Sequence, residues 1–117
     1  IKALASYAQL LMKEEKLDDA FDIATRALTI VPTSPELGHL VSQIAFKQGD
    51  FVKARDFMES AMDNGAGDNP FSLELYGDIL FSVDEIDEAV EYWKLSQQAG
   101  NDSELLKRKI SERKLLH

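Results

Sequence analysis

Cysteine is absent from this chain of 117 residues, and only two histidines are present, His39 and the terminal His117. The lack of cysteine excludes disulfides, a thiolate nucleophile and a cysteine-ligated metal, and it leaves the compartment open. The sequence also has no glycine-rich phosphate loop, no serine-nucleophile elbow and no pair of histidines on one helix. We therefore expect a protein that is not an enzyme and that has no cofactor and no metal site.

Long apolar runs are lacking as well. No stretch approaches the roughly 18 apolar residues that a membrane span requires, and the start lacks the pattern of a signal peptide. We therefore expect no membrane insertion. Because the chain begins at Ile1 with neither a methionine nor a capping residue, we interpret it as the C-terminal part of a longer protein. Any targeting sequence would then lie upstream of Ile1.

Basic residues are scarce, with 13 lysines and arginines against 21 aspartates and glutamates, which gives a net charge of −8. Residues 69–102 hold one basic and eight acidic residues, whereas residues 103–117 hold five basic and two acidic ones. An acidic body repels phosphate backbones, so we expect no nucleic-acid partner. The basic tail could form a nucleic-acid or lipid patch, but we favour a role in balancing the acidic segment and its own helix terminus.

A short pattern recurs along the chain at a spacing near 34 residues. Ala20 and Ala54 are 34 residues apart, and Ala89 follows 35 residues later. Each of these alanines ends a similar stretch of five residues that contains aspartate. The third copy, between Leu75 and Trp93, has the apolar spacing of two amphipathic helices that meet at a tight turn. Trp93 lies on the inner stripe of its helix, so we expect a core side chain rather than an exposed anchor.

These residues resemble the tetratricopeptide repeat (TPR) family, in which a helix–turn–helix recurs about every 34 residues. The residues at family positions are Leu4, Tyr7, Ala8, Leu11, Ala20, Ala24, Ala27 and Pro32, then Val41, Ser42, Ala45, Gly49, Phe51, Ala54, Met58 and Ala61, then Leu73, Tyr76, Gly77, Leu80, Ala89 and Trp93. The resemblance implies an all-α, TPR-type α-solenoid as a single domain. Its parts would be three helix–turn–helix repeats at about 1–34, 35–69 and 70–102 and a capping helix at about 103–116.

The turns and caps refine this expectation. Glu15 and Asp84 stand where the family has a turn glycine, so we expect slight strain from positive φ at both positions. Helix N-caps are predicted at Thr33 or Ser34, at Asn69, and at Asp102 or Ser103. The expected bounds are about 2–14, 17–31, 35–48 and 51–64 for the first four helices, a start at 70 for the fifth, an end near 99 for the sixth, and about 103–115 for the seventh.

Three further expectations concern the ends and joints of the repeats. The link at 65–68 should be the most flexible joint. The seventh helix should cover the last repeat with one apolar stripe and turn a charged face outward. The first helix should leave an apolar face, around Leu4 and Leu11, that earlier repeats once covered.

The resemblance implies that the chain binds a peptide or protein segment in a concave groove formed by the first helix of each repeat. The residues expected to line the groove are Lys2, Gln9, Met12, Lys13, His39, Gln43, Phe46, Lys47, Phe71, Glu74, Asp78 and Phe81. Its charge runs from basic in the first repeat to acidic in the third. Met12, Phe46 and Phe81 share one repeat position, where a structural role and a ligand contact remain equally supported.

Other interpretations of the same residues are weaker or remain open. His39, Glu74 and Asp78 suggest a metal or acid–base cluster, but no second histidine is available to complete a site. In the best-known TPR subclass, basic and amide side chains clamp a chaperone's terminal carboxylates. The matching positions here are Ala5, Gln9, Leu40, Phe71 and Leu75, which do not favour that ligand. The alternative function is a structural spacer, or self-association through the uncapped N-terminal end.

Overall fold

The computed structural model describes residues 1–116, which form seven α-helices, one short 3₁₀ helix and no β-strand. The α-helices are α1 (Lys2–Lys13), α2 (Leu17–Ile30), α3 (Pro35–Lys47), α4 (Phe51–Asp63), α5 (Pro70–Ser82), α6 (Ile86–Gln98) and α7 (Glu104–Glu112). The 3₁₀ helix occupies Ala66–Asp68, in the link where we expect the most flexible joint. The all-α prediction is confirmed.

The chain divides into two compact units at this link. The N-terminal unit, residues 1–64, contains α1 to α4, and the C-terminal unit, from Gly65 onward, contains the 3₁₀ helix and α5 to α7. Within the units the helices pack as three antiparallel hairpins: α1 with α2, α3 with α4, and α5 with α6. In addition, α2 packs on α3 and α6 packs on α7.

Local capping chemistry explains where several helices begin. The Ser34 hydroxyl accepts a hydrogen bond from the Leu37 amide at the start of α3, and Asn69 Oδ1 accepts from the Phe71 and Ser72 amides at the start of α5. Ser103 caps α7 in the same way. These caps satisfy amides that have no partner inside the helix. Pro35 and Pro70, each at a first helical position, lack the amide that would need one.

The two turns without glycine adopt the strained conformation that the sequence predicts. Glu15 has φ of 63° and Asp84 has φ of 65°, both in the left-handed region. Gly49 occupies the same position in the remaining turn, with φ of 82°. Arg113 is a third residue of this kind, with φ of 53°, and it ends α7 at Glu112 rather than near Leu115. The seventh helix is therefore shorter than the apolar spacing predicts.

Small residues let the paired helices approach closely. A Cβ atom on Gly77 of α5 would overlap the Trp93 ring of α6 and lie 3.0 Å from the Ala89 carbonyl oxygen. Gly38 of α3 has a similar role, since a Cβ there would lie 2.7 Å from the Ala61 Cβ of α4. Trp93 is fully buried, so its prediction as a core residue is confirmed.

Buried serines also join the helices of a hairpin. Ser42 of α3 donates a hydrogen bond of 2.7 Å to the Ala54 carbonyl of α4. Ser96 of α6 donates one of 2.6 Å to the Pro70 carbonyl of α5. A buried hydroxyl with a good acceptor costs little, and it fixes the depth of the contact between the two helices.

The apolar face expected on the first helix differs from the prediction in its residues. Leu11 belongs to the buried core of the N-terminal unit, with Ala8, Ala20 and Ala24, and Leu4 is half-buried. The exposed apolar side chains of α1 are instead Tyr7 and Leu10, about half of whose surface is accessible, at 51% and 52%. They face away from the hairpin because α2 covers the side of α1 that carries Ala8 and Leu11.

Candidate binding surfaces

Five of the twelve predicted groove residues border one open depression of about 540 Å³ in the N-terminal unit. It lies between α1 and α3, and its lining is Gln9, Met12, Lys13, Glu15, Gln43 and Lys47. The glutamines are 34 residues apart, and so are the lysines. The repeat therefore places the same pair, an amide and an ammonium one helical turn apart, on both helices. With Glu15 included, the lining has two cationic groups and one anionic group.

Three more predicted residues of the N-terminal unit lie outside the lining of this depression. Lys2 is exposed at the start of α1, and His39 is half-buried on α3. Phe46 is half-buried, with its ring 5.4 Å from that of Phe51 at the start of α4. Phe46 therefore contributes at least partly to packing within its own hairpin.

Burial lowers the pKa of His39 below its usual value near 6.5. The folded chain thus favours the neutral imidazole, whereas the unfolded chain accepts a proton at higher pH. Stability from this residue is complete above the unfolded pKa and is lost as the pH falls from that value through the lowered folded pKa.

We expect this loss to appear in urea unfolding between about pH 7.5 and about pH 5.5. The free energy of unfolding of the unchanged chain should decline more steeply over this interval than that of His39→Gln, whose side chain does not titrate. Comparing the two chains cancels the carboxylates, including Asp78, which contributes with the opposite sign. Identical pH profiles for the two chains would show that burial does not perturb the imidazole.

A second depression, which the sequence does not predict, lies between α2 and α4 of the N-terminal unit. It measures about 450 Å³, and its lining is Thr25, Leu28, Thr29, Pro32, Asp56, Phe57 and Ser60. Phe57 also meets Phe21 edge-on, with ring centroids 5.9 Å apart. Both helices are the second of their repeat, so this surface lies away from the residues predicted to line the groove.

In the C-terminal unit, Glu74 and Asp78 of α5 bind Lys109 of α7. The lysine Nζ lies 2.7 Å from Glu74 Oε2 and 3.0 and 3.2 Å from the two Asp78 oxygens. Only 4% of Lys109 is accessible. The expectation that the last helix turns its charged face outward is wrong for this residue, because the two carboxylates provide the acceptors that a buried ammonium needs.

The favoured interpretation of the basic tail, as a balance for the acidic third repeat, is confirmed at two positions. Lys109 pairs with Glu74 and Asp78, and Arg113 forms an ion pair with Asp87 of α6. The first contact is buried, whereas the second is exposed to solvent.

Two further side chains complete the polar cluster around Lys109. The Trp93 indole Nε1 donates a hydrogen bond of 3.0 Å to Asp78 Oδ1. Asn101 Nδ2 donates one of 2.9 Å to Glu74 Oε1. Desolvation raises the pKa of Asp78, which the Lys109 charge and the hydrogen bonds partly oppose. Asn101 has no sequence signal beyond its place after the helix-ending Gly100, and sequence analysis missed it.

The two predicted aromatic residues of α5 differ in exposure. Phe71 is 65% accessible at the start of the helix. Phe81 is half-buried, and its ring stacks on Trp93 with centroids 6.0 Å apart and planes 28° apart. Phe71 is therefore the more available contact for a partner, and Phe81 partly supports the core.

Residues 1–116 offer neither a metal site nor a membrane-spanning helix. Within this range no group of three or more histidine, aspartate or glutamate side chains is placed to hold a metal ion. No helix in the same range is both long and apolar enough to cross a bilayer.

Comparison with known proteins agrees with the repeat pattern. No protein family model matches the sequence. A TPR repeat-containing protein of Methanocaldococcus jannaschii is 28% identical over 98 residues, which cover 84% of this chain and 17% of that protein. The chain thus spans about one sixth of the length of this curated relative.

Solved structures share the fold at lower identity. The first TPR of Spaghetti (RPAP3), bound to an HSP90 peptide, has a TM-score of 0.88 at 16% identity, with 95% of this chain and 87% of that one covered. The Sgt2 TPR domain from Aspergillus fumigatus has a TM-score of 0.87 at 21% identity, with 96% and 75% covered. The fold defines a helical-repeat protein. The predicted TPR-type helical-repeat fold is confirmed by these structures, and the sequence resemblance to TPR proteins extends to the curated relative.

Proposed function

We propose that this chain is a protein-interaction module that binds a peptide or protein segment on the first helices of its repeats, without catalysis, a cofactor or a nucleic-acid partner. The observation that carries the proposal is the depression between α1 and α3, where Gln9, Lys13, Gln43 and Lys47 converge. An open surface of about 540 Å³ accommodates a few residues of an extended chain. The peptide bound by the similar TPR of Spaghetti supports the same use of the fold.

The lining indicates the chemistry of the segment. Glutamine amides can both donate to and accept from the backbone groups of an extended peptide. The two lysines favour an acidic side chain of that peptide, mainly by increasing the association rate and setting its direction. Met12 adds a flexible apolar contact. Because the clamp positions of the chaperone-binding subclass carry other residues, including the buried Leu40, we do not extend the HSP90 ligand to this chain.

The test begins by selecting peptides from a displayed random library on the unchanged chain. The affinity of the best peptide is then measured for Lys13→Glu/Lys47→Glu by fluorescence anisotropy. Reversing two exposed charges should weaken an acidic peptide by at least about tenfold, or about 1.4 kcal/mol. Lys16→Glu/Arg26→Glu is the matched control, because it makes the same charge change at exposed positions of the same unit. Equal losses in both variants, or none, would remove the depression as the binding surface.

The structural alternative rests on the exposed face of α1. Tyr7 and Leu10 are half accessible, whereas Val41 and Ile44, the residues 34 positions later on α3, are fully buried. Val41 and Ile44 pack beside Ala20 and Ala24 of α2. The α1 face therefore fits the second helix of another hairpin of this type, whether from a longer chain or from a second copy.

Sedimentation velocity distinguishes a second copy of this chain on the α1 face from a hairpin of a longer chain on the same face. If copies stack, the weight-average mass should rise with concentration, and Tyr7→Lys/Leu10→Lys should abolish the rise. A chain that stays monomeric at all concentrations would rule out stacking between copies.

A further inference from the structure

Lys109 lies on α7, but the site that its ammonium group occupies is formed by residues outside α7. All three oxygen atoms around Lys109 Nζ, at 2.7 to 3.2 Å, belong to Glu74 and Asp78, one turn apart on α5. Both residues are among those predicted to contact a partner. Their other hydrogen bonds come from Asn101 and Trp93, outside α7. The site is therefore a cation-binding pair of carboxylates, oriented by the rest of the unit.

The helix that delivers the lysine has few other attachments. It is nine residues long, and Leu106 is its one fully buried apolar side chain. Leu105 is exposed, and Ile110 is half-buried. Its end is held by the exposed pair of Arg113 and Asp87. Since isolated helices shorter than about 12 residues are marginal in water, α7 should unfold once it leaves the unit.

The charge at the site is not balanced by Lys109 alone. Two carboxylates face one ammonium, and the remaining contacts come from a neutral indole and a neutral amide. A guanidinium group, with five donors in a planar fork, can pair with both carboxylates at once. The site therefore matches a lysine and suits an arginine at least as well.

We propose that α7 is a releasable occupant of this site, and that a lysine or arginine on a helical partner segment takes the place of Lys109 when α7 leaves. The segment needs an apolar residue three positions before the cation, as Leu106 precedes Lys109. The inference rests on the proposed binding function for its biological use, because Glu74 and Asp78 belong to the helix predicted to contact the partner. The intramolecular helix would then lower the partner's apparent affinity by the fraction of time that it occupies the site.

Hydrogen exchange on the unchanged full chain tests release directly. We expect the amides of α7 to exchange at least about a hundredfold faster than those of α5 and α6, because α7 opens without unfolding the hairpin. Exchange of all three helices at one common rate would overturn the proposal, since α7 would then leave only with the fold.

Competition by a peptide tests the chemistry of the site. The probe is a fluorescent synthetic peptide with the sequence of residues 103–114. It should bind the Lys109→Met chain at least about tenfold more tightly than the unchanged chain, whose own lysine competes. Its Lys109→Arg form should bind at least as well as the parent peptide, and its Lys109→Met form should not bind. The Lys107→Met chain, altered at an exposed lysine of the same helix, is the control and should behave like the unchanged chain.

Two results would contradict this part of the proposal. The first is an equal affinity of the Lys109→Met chain for the parent peptide and for the peptide with methionine at position 109. The second is a Lys109→Met chain that does not bind the parent peptide. Neither measurement involves the depression between α1 and α3. Failure here therefore leaves the proposed binding function standing, and loss of peptide capture at that depression leaves the release of α7 standing.

Discussion

Replacing Trp93 with alanine should lower the free energy of unfolding by about 3–5 kcal/mol, which is the usual cost of removing a buried aromatic side chain. The ring is fully buried and fills the space beside Gly77 and the Ala89 backbone. It also supports the stacked Phe81, and it donates the indole hydrogen bond to Asp78. The loss should be read from urea unfolding followed by far-UV circular dichroism, since the variant lacks tryptophan fluorescence.

Trp93→Phe is the matched control for this experiment. Phenylalanine keeps an aromatic ring in the core but cannot donate to Asp78, so its smaller loss combines the missing hydrogen bond with the smaller ring. A Trp93→Ala chain with the midpoint of the parent would show that the ring does not stabilise the core, and the exposed-anchor interpretation would return.

The hairpins could be predicted because their signals are local and repeat. Ala20, Ala54 and Ala89 recur at nearly constant spacing and are all fully buried. Full burial at the same repeat position favours a small side chain at each of them. The positive φ of Glu15 and Asp84 follows from the same spacing, because the turn needs that conformation whichever residue occupies it.

The polar cluster of the C-terminal unit could not be predicted in this way. Lysine is rarely buried without a partner, so a lysine on a short charged helix is expected in solvent. The partners of Lys109 lie 35 and 31 residues earlier in the chain. The separation from Glu74 matches the repeat spacing, but that spacing does not indicate that a lysine at this position is buried and paired. Their contact depends on how α7 packs on the preceding hairpin, which is a matter of tertiary structure.

The candidate groove residues also divide into those whose position follows from repeat spacing and those whose contacts depend on tertiary packing. Gln9, Lys13, Gln43 and Lys47 come together because repeat spacing alone fixes which side of each helix they occupy. Phe81 shares a repeat position with Met12 and Phe46, but its ring stacks on Trp93, a contact that repeat spacing alone does not specify. Spacing predicts the helix face of a side chain, but it does not predict whether that side chain turns toward solvent or toward its own core.

The second large effect should follow from removing the charge of Lys109. The side chains of Glu74 and Asp78 are 20% and 15% exposed in the unchanged chain, and in Lys109→Met they lose the ion-pair partner that the described cluster provides. Breaking a buried ion pair costs about 3–5 kcal/mol. We expect a loss of about 3 kcal/mol, at the low end, because release of α7 would return both carboxylates to water. Urea unfolding followed by Trp93 fluorescence measures it.

A compensating variant separates electrostatics from packing. Adding Glu74→Gln and Asp78→Asn to Lys109→Met removes the unpaired charges but keeps similar shapes, so it should recover at least about 1 kcal/mol of the loss. Packing of the lysine stem would respond differently, because the amides cannot restore it. Failure of the triple variant to recover stability would therefore assign Lys109 to packing, and an unchanged midpoint in Lys109→Met would show that the ion cluster does not hold α7 on the unit.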